Sequence, residues 1–127
     1  MGTLSAIEEG AESELESEPL PHPERAAIDV TAVLHALSDP MRLRIVAKLA
    51  AEGGEHTCNS FNLPIVKSTC THHFKVLREA GLIRQRVVGT RRVNSLRHED
   101  IEQRFPGLLE AVLRGWKPNV LRAGPEA

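Results

Sequence analysis

Between Leu63 and Gly81 the apolar residues Val66, Cys70, Phe74 and Leu77 recur at i, i+4, i+8 and i+11. This is the spacing of one face of an amphipathic helix laid on a core. The pattern predicts a helix over 67–80, closed at Gly81 by a left-handed C-cap. Upstream, Ile28, Val30, Val33, Leu34 and Leu37 give residues 26–37 a broad apolar surface. It is broad enough to touch more than its own domain, which makes this helix a candidate dimer interface. Next come an N-cap at Ser38 or Asp39, Pro40 in the first turn, apolar Leu43, Val46, Leu49 and Ala50, and a stop at Gly53-Gly54. Together they predict a second helix. In the stretch EHTCNSFNLP, Pro64 limits any helix to one or two turns. After Gly81, Leu82 to Val88 and Arg91 to Leu96 read as β-branched strands joined at Gly89-Thr90 as a hairpin. A last helical pattern carries Ile101, Phe105, Leu108, Leu109, Val112, Leu113 and Trp116, broken at Pro106-Gly107. It is expected to pack against the first helix of its own chain or of a partner.

The 127 residues suit one domain with one core, built from Leu, Ile, Val and Ala, since there are three Phe, one Trp and no Tyr. Residues 1–25 are expected to be an acidic disordered tail, 26–116 the folded domain and 117–127 a flexible C-terminal tail. No secretory signal and no apolar run of bilayer length is seen, so the expected setting is a reducing cytoplasm, without a disulfide framework or a membrane.

The formal net charge of −1 conceals a division. Residues 1–30 carry eight acids against Arg25 alone, a net of −7, and the remainder carries +6. From Leu63 to Arg97 eight Lys and Arg stand against Glu79 only, a local excess of +7. A field of that size attracts a polyanion.

That charge changes the meaning of the helix over 67–80. Its outer face begins with short hydrogen-bonding groups and continues with basic ones, as a helix entering a DNA major groove requires. A basic two-stranded ribbon, with Arg84, Arg86, Arg91 and Arg92, follows at once and resembles the wing of a winged helix, placed to reach phosphates or the minor groove. The residues expected to meet double-stranded DNA are Lys67, Ser68, Thr69, Thr71, His72, Lys75 and Arg78 from the helix, the last as a phosphate contact, and Arg86, Arg91 and Arg92 from the hairpin.

Other chemistry is sparse. Cys70 lies on the buried stripe and reads as a small core residue. Cys58, beside His56 at the start of the short helix, is the candidate effector site, as a redox sensor or as the ligand of a metal-responsive regulator. His72 and His73 point ~100° apart on a helix and do not converge on one ion. His73 is expected to pack and hydrogen-bond the backbone. No nucleophile with a neighbouring base, phosphate loop or complete metal-ligand spacing exists, so neither an enzyme, a cofactor nor a metal is expected.

The segments ALSDPMRLRIVAKL, STCTHHFKVLREAGLI and GTRRVNSL, in this order, resemble the ArsR/SmtB family of winged-helix transcriptional repressors. The resemblance covers about Val33 to Leu113. It implies a mainly α fold with a small β-hairpin, in the order α-α-α-α-β-β-α, and a homodimer on an imperfect palindromic operator that is released when an effector is sensed. The family's Cys-x-Cys metal site is matched here by Glu55-His56-Thr57-Cys58-Asn59-Ser60, with one thiolate where two are expected. Its terminal-helix metal site is matched by Arg97-His98-Glu99-Asp100 with no later His. The inducer stays open.

Overall fold

The computed structural model describes residues 18–116. Glu18–Pro19 forms strand β1 and Arg25–Ala27 a 3-10 turn, after which α1 spans Val30–Leu37 and α2 spans Pro40–Glu52. Then follow β2 (His56–Thr57), a 3-10 helix (Cys58–Phe61), α3 (Lys67–Ala80), β3 (Ile83–Val88), β4 (Arg91–Leu96), α4 (His98–Arg104) and α5 (Leu108–Gly115). The strands form one antiparallel sheet in the order β1-β3-β4-β2. This is a winged helix-turn-helix, with α3 in the place a recognition helix takes and β3–β4 as its wing.

Local chemistry sets most boundaries. Asp39 caps α2 by accepting from the Met41 and Arg42 amides at 2.8 and 3.1 Å, with Pro40 at the first helical position. Asp29 caps α1 through the Ala32 amide, so this helix begins at Val30 and not at residue 26. The abbreviated first helix of the helix-turn-helix is the single 3-10 turn Cys58–Phe61. It ends at Asn62, the one non-glycine residue with positive φ among those described.

The core collects Ile28, Val33, Ala36 and Leu37 with Ile45, Val46 and Leu49, against Phe74, Leu77 and Ala80 from α3, Leu82 and Ile83, and Ile101 and Leu109. Phe61 meets Phe74 edge to face at 5.4 Å and so pins the short helix onto the recognition helix. Val66 departs from the expected stripe. It is the uncapped N-cap position of α3 and 67% exposed, because the buried face begins only at the second turn.

The tail expected over residues 1–25 is folded from Glu18 onward; its first 17 residues, and the expected C-terminal tail, lie outside the described residues. Glu18 pairs with Val87 and Pro19 with Arg86. The Pro21 carbonyl accepts from Arg78 Nε at 2.9 Å and the Pro23 carbonyl from Arg97 Nη1 at 2.7 Å. Two guanidiniums thus satisfy the backbone of a proline-rich strap that has little apolar surface of its own. Below it, Asp100 accepts from Arg25 at 2.6 Å, Arg97 at 2.9 Å and Arg84 at 3.3 Å. Burial pushes the Asp100 carboxyl up, but the hydrogen bonds from Arg25 and Arg97 outweigh it and hold the carboxyl below its ordinary range.

Gly81 turns the chain from α3 into the wing at φ 91°, with the Ile28 side chain 2.7 Å from where a Cβ would stand. Gly81→Ala combines left-handed strain with overpacking. It is expected to cost about 2–4 kcal/mol, read as a lower urea midpoint at unchanged m. An unchanged midpoint contradicts this role.

Candidate nucleic-acid interface

Seen down the axis of α3, Lys67, Ser68, Thr71, His72, Lys75 and Glu79 share one arc of about 140° at ~100° per residue, and all are exposed. Thr69 is exposed just outside the arc. The opposite arc holds His73, Phe74, Leu77 and Ala80, all buried. The apolar face seats the helix, and the polar face is left to the solvent except at Arg78, which falls within the same arc but is buried.

The wing turn Gly89-Thr90 brings Arg91 and Arg92 over the start of this face, and both are exposed. Lys67 and Thr71 from α3, Asn59 and Asn62 from the turn before it, and Thr90, Arg91 and Arg92 from the wing line one cleft of about 760 Å³. Helix and wing converge, three cations and four small polar groups facing a common space. Asn59, Asn62 and Thr90 were absent from the sequence-derived set because only the folded turn brings them to the cleft.

Two expected phosphate contacts are placed otherwise. Arg78 is buried: its Nη1 donates to Gln85 Oε1 at 2.6 Å and its Nε to the Pro21 carbonyl. It lies on the polar side of the helix, but strap and sheet cover it, so it holds the fold together and faces no ligand. Arg86 makes a two-pronged contact with Glu55, 2.6 Å on each prong. That hydrogen bond holds the Glu55 carboxyl below its usual range and the Arg86 guanidinium above its own.

His73 is packed, as its position on the stripe suggested, but its partners are side chains and not backbone. Arg42 Nη1 donates to its Nδ1 at 3.1 Å, and its Nε2 lies 3.8 Å from Asp39. Arg42 also donates to the Ala36 carbonyl at 2.7 Å, so the end of α1, the cap of α2 and the recognition helix meet at one buried guanidinium. Burial pushes the imidazole pKa down, and the charges of Arg42 and His72 add to this while Asp39 opposes it.

Cys58 and Cys70 are both free thiols, half-buried, and line the same cleft. Asn94 Nδ2 lies 3.4 Å from Cys58 Sγ. Burial, with the neighbouring Cys58 adding to it, pushes the Cys70 thiol up. Cys70 therefore sits at the rim of the core. Among the described residues no group of three or more His, Cys, Asp or Glu is placed to hold a metal ion.

A helix-turn-helix domain family model matches residues 37–86, from the end of α1 into the first wing strand. An ArsR family transcriptional regulator of known structure superposes with a TM-score of 0.55 at 21% identity, over 69% of this chain and 92% of that one. An uncharacterized HTH-type transcriptional regulator, YceK of Bacillus subtilis, is 39% identical over 82 residues, which is 63% of this chain and 82% of the relative. The chain belongs to the family of HTH-type transcriptional regulators, and its fold is that of the ArsR-family structure. A cadmium resistance transcriptional regulatory protein CadC homolog of Staphylococcus aureus is 36% identical over 60% of this chain and 64% of its own length. This family is one of DNA-binding transcriptional regulators and not of enzymes. No helix among the described residues is long and apolar enough to cross a membrane.

The state of His73 gives this helix-turn-helix domain a stability that depends on pH. The unfolded imidazole takes a proton near pH ~6.5, and the folded one does so only at lower pH. Stability is therefore expected to hold above that point and to fall as pH drops through it. Urea midpoints from pH ~8 to ~5 are expected to fall less steeply for His73→Gln than for wild type. Parallel profiles contradict the assignment.

Proposed function

We propose that this regulator is a homodimeric repressor that occupies an imperfect palindromic operator. The observation that carries the reading is the cleft in which Lys67 and Thr71 of the recognition helix meet Arg91 and Arg92 of the wing. Ser68, Thr71, His72 and Lys75 face base edges or neighbouring phosphates in the major groove, and Thr69 contacts the rim. The first turn of α3 has no side-chain cap, which leaves backbone N–H groups and Lys67 together for a phosphate. Arg91 and Arg92 hold the adjacent backbone or minor groove. Arg86 joins them only by giving up Glu55. Dimerisation is assigned to α1, where Val30 and Leu34 leave 38% and 47% of their surface exposed on an otherwise buried apolar face. A two-fold axis there presents two recognition helices to successive major grooves. Repression by occupancy suits a protein with little surface for recruiting polymerase.

Duplex from the region upstream of the chain's own gene tests this in a gel shift. Thr71→Ala and His72→Ala are each expected to weaken binding by about 1–3 kcal/mol and to relax sequence preference. Arg91→Ala with Arg92→Ala is expected to lower the salt slope by about two. Binding unchanged in all of these variants refutes the interface.

A second reading concerns the signal. Because Cys58 and Cys70 open on the DNA-binding cleft, peroxide can take two electrons and two protons from the pair, forming a disulfide and two waters. The bridge then ties the short helix to the recognition helix. Expected on peroxide treatment are a mass loss of about two hydrogens and weakened operator binding, both absent in Cys58→Ser. Operator affinity indifferent to peroxide excludes the switch.

A further inference from the structure

Strand β1 tells where the N-terminal segment enters the fold. It runs antiparallel to β3, with Glu18 opposite Val87, Pro19 opposite Arg86 and the Leu20 amide donating to the Gln85 carbonyl at 2.9 Å. β3 climbs from the Gly81 corner to the wing turn, so β1 descends from that turn. The chain before Glu18 therefore reaches the domain at the wing-tip end of the sheet, one strand away from Arg92, since Val87 pairs with Glu18 on one side and with Arg92 on the other. Arg78 and Arg97, through the Pro21 and Pro23 carbonyls, hold the strap in place just downstream.

What arrives there is strongly acidic. Residues 1–17 contain Glu8, Glu9, Glu12, Glu14 and Glu16 and no Lys or Arg. Fully extended they reach ~55–60 Å, whereas the face from Lys67 to Lys75 occupies only about 12–14 Å of helix. We propose that residues 1–17 dock in the basic cleft between the wing tip and the recognition helix when DNA is absent, and that duplex DNA must displace them. This rests on the cleft being the DNA-binding surface. The segment is tethered across β3 from the wing arginines, well within its reach of the cleft, so its local concentration there is high without any tight contact. Its carboxylates meet Lys67, Arg91 and Arg92, the same cations proposed for phosphate. The acidic segment thus sets a threshold that non-specific DNA meets poorly and a matched operator overcomes.

The test uses the full chain with Glu8→Gln, Glu9→Gln, Glu12→Gln, Glu14→Gln and Glu16→Gln together, and a second variant lacking residues 2–17. In DNA-free protein the backbone amide signals of Lys67, Thr71, Thr90, Arg91 and Arg92 are expected to differ from wild type in both variants, with the core signals superimposable. On a mixed-sequence duplex of about 30 base pairs, both variants are expected to bind about tenfold more tightly than wild type at ~50 mM salt, and the gap to narrow at ~200 mM. Cleft signals that superimpose on wild type overturn the docking, whatever happens to affinity, since a gain without them is repulsion from an undocked segment. Shifted signals with unchanged affinity overturn the competition. Absence of DNA binding in every form counts against the DNA-binding reading, and the spectra still decide the docking.

Discussion

The corner at Gly81 is the constraint on which the proposed DNA-binding face depends. The recognition helix ends there because the Gly81 amide returns to the Arg78 carbonyl and the Leu82 amide to the Leu77 carbonyl, each at 3.0 Å. One residue later the Leu82 carbonyl accepts from the Arg97 amide at 2.8 Å, which ties the base of the wing to the start of α4. Ile28 fills the space a side chain at residue 81 would need. Helix and wing are thus joined through a left-handed residue packed against the core. Their relative angle, and so the width of the cleft between Thr71 and Arg92, is set by packing and not by a flexible loop.

Around that corner the fold sorts its cations into two groups. Arg42, Arg78 and Arg97 are buried and serve carbonyls, His73, Gln85 and Asp100. Arg25 and Arg84 reach the same Asp100, and Arg86 is engaged with Glu55. Those left on the cleft are Lys67, Arg91 and Arg92, with Lys75 further along the helix. The +7 counted along the sequence therefore overstates the field a DNA duplex would meet. The near-neutral total charge of a chain with a basic face has a separate origin: the net −7 of residues 1–30 offsets the +6 of the remainder.

What could be read from the sequence was local. The limits of α2 and α3, a cap at Ser38 or Asp39, the Gly81 stop and the hairpin all follow from residues within four or five positions of one another. What could not be read depends on distant partners. Arg78 looked like a phosphate contact because its cover, Pro21, stands 57 residues away. Residues 18–25 looked like tail because a proline-rich strap has no apolar period, and its order comes from backbone pairing to β3 and from two arginines. Val66 matched the period of the stripe but lies before the helix starts to face the core. His73 was rightly separated from His72, although its Arg42 partner lay 31 residues away and out of view. The cleft itself, with Asn59, Asn62 and both thiols, exists only once short helix, recognition helix and wing are assembled.

The most direct test of the central claim is amide hydrogen exchange on the full chain, with and without duplex from upstream of its own gene. Protection that appears at 67–75 and at 90–92, and leaves the exposed face of α1 unchanged, is the result expected of a recognition helix and wing acting together. Protection confined to α1, or none along α3, would contradict it.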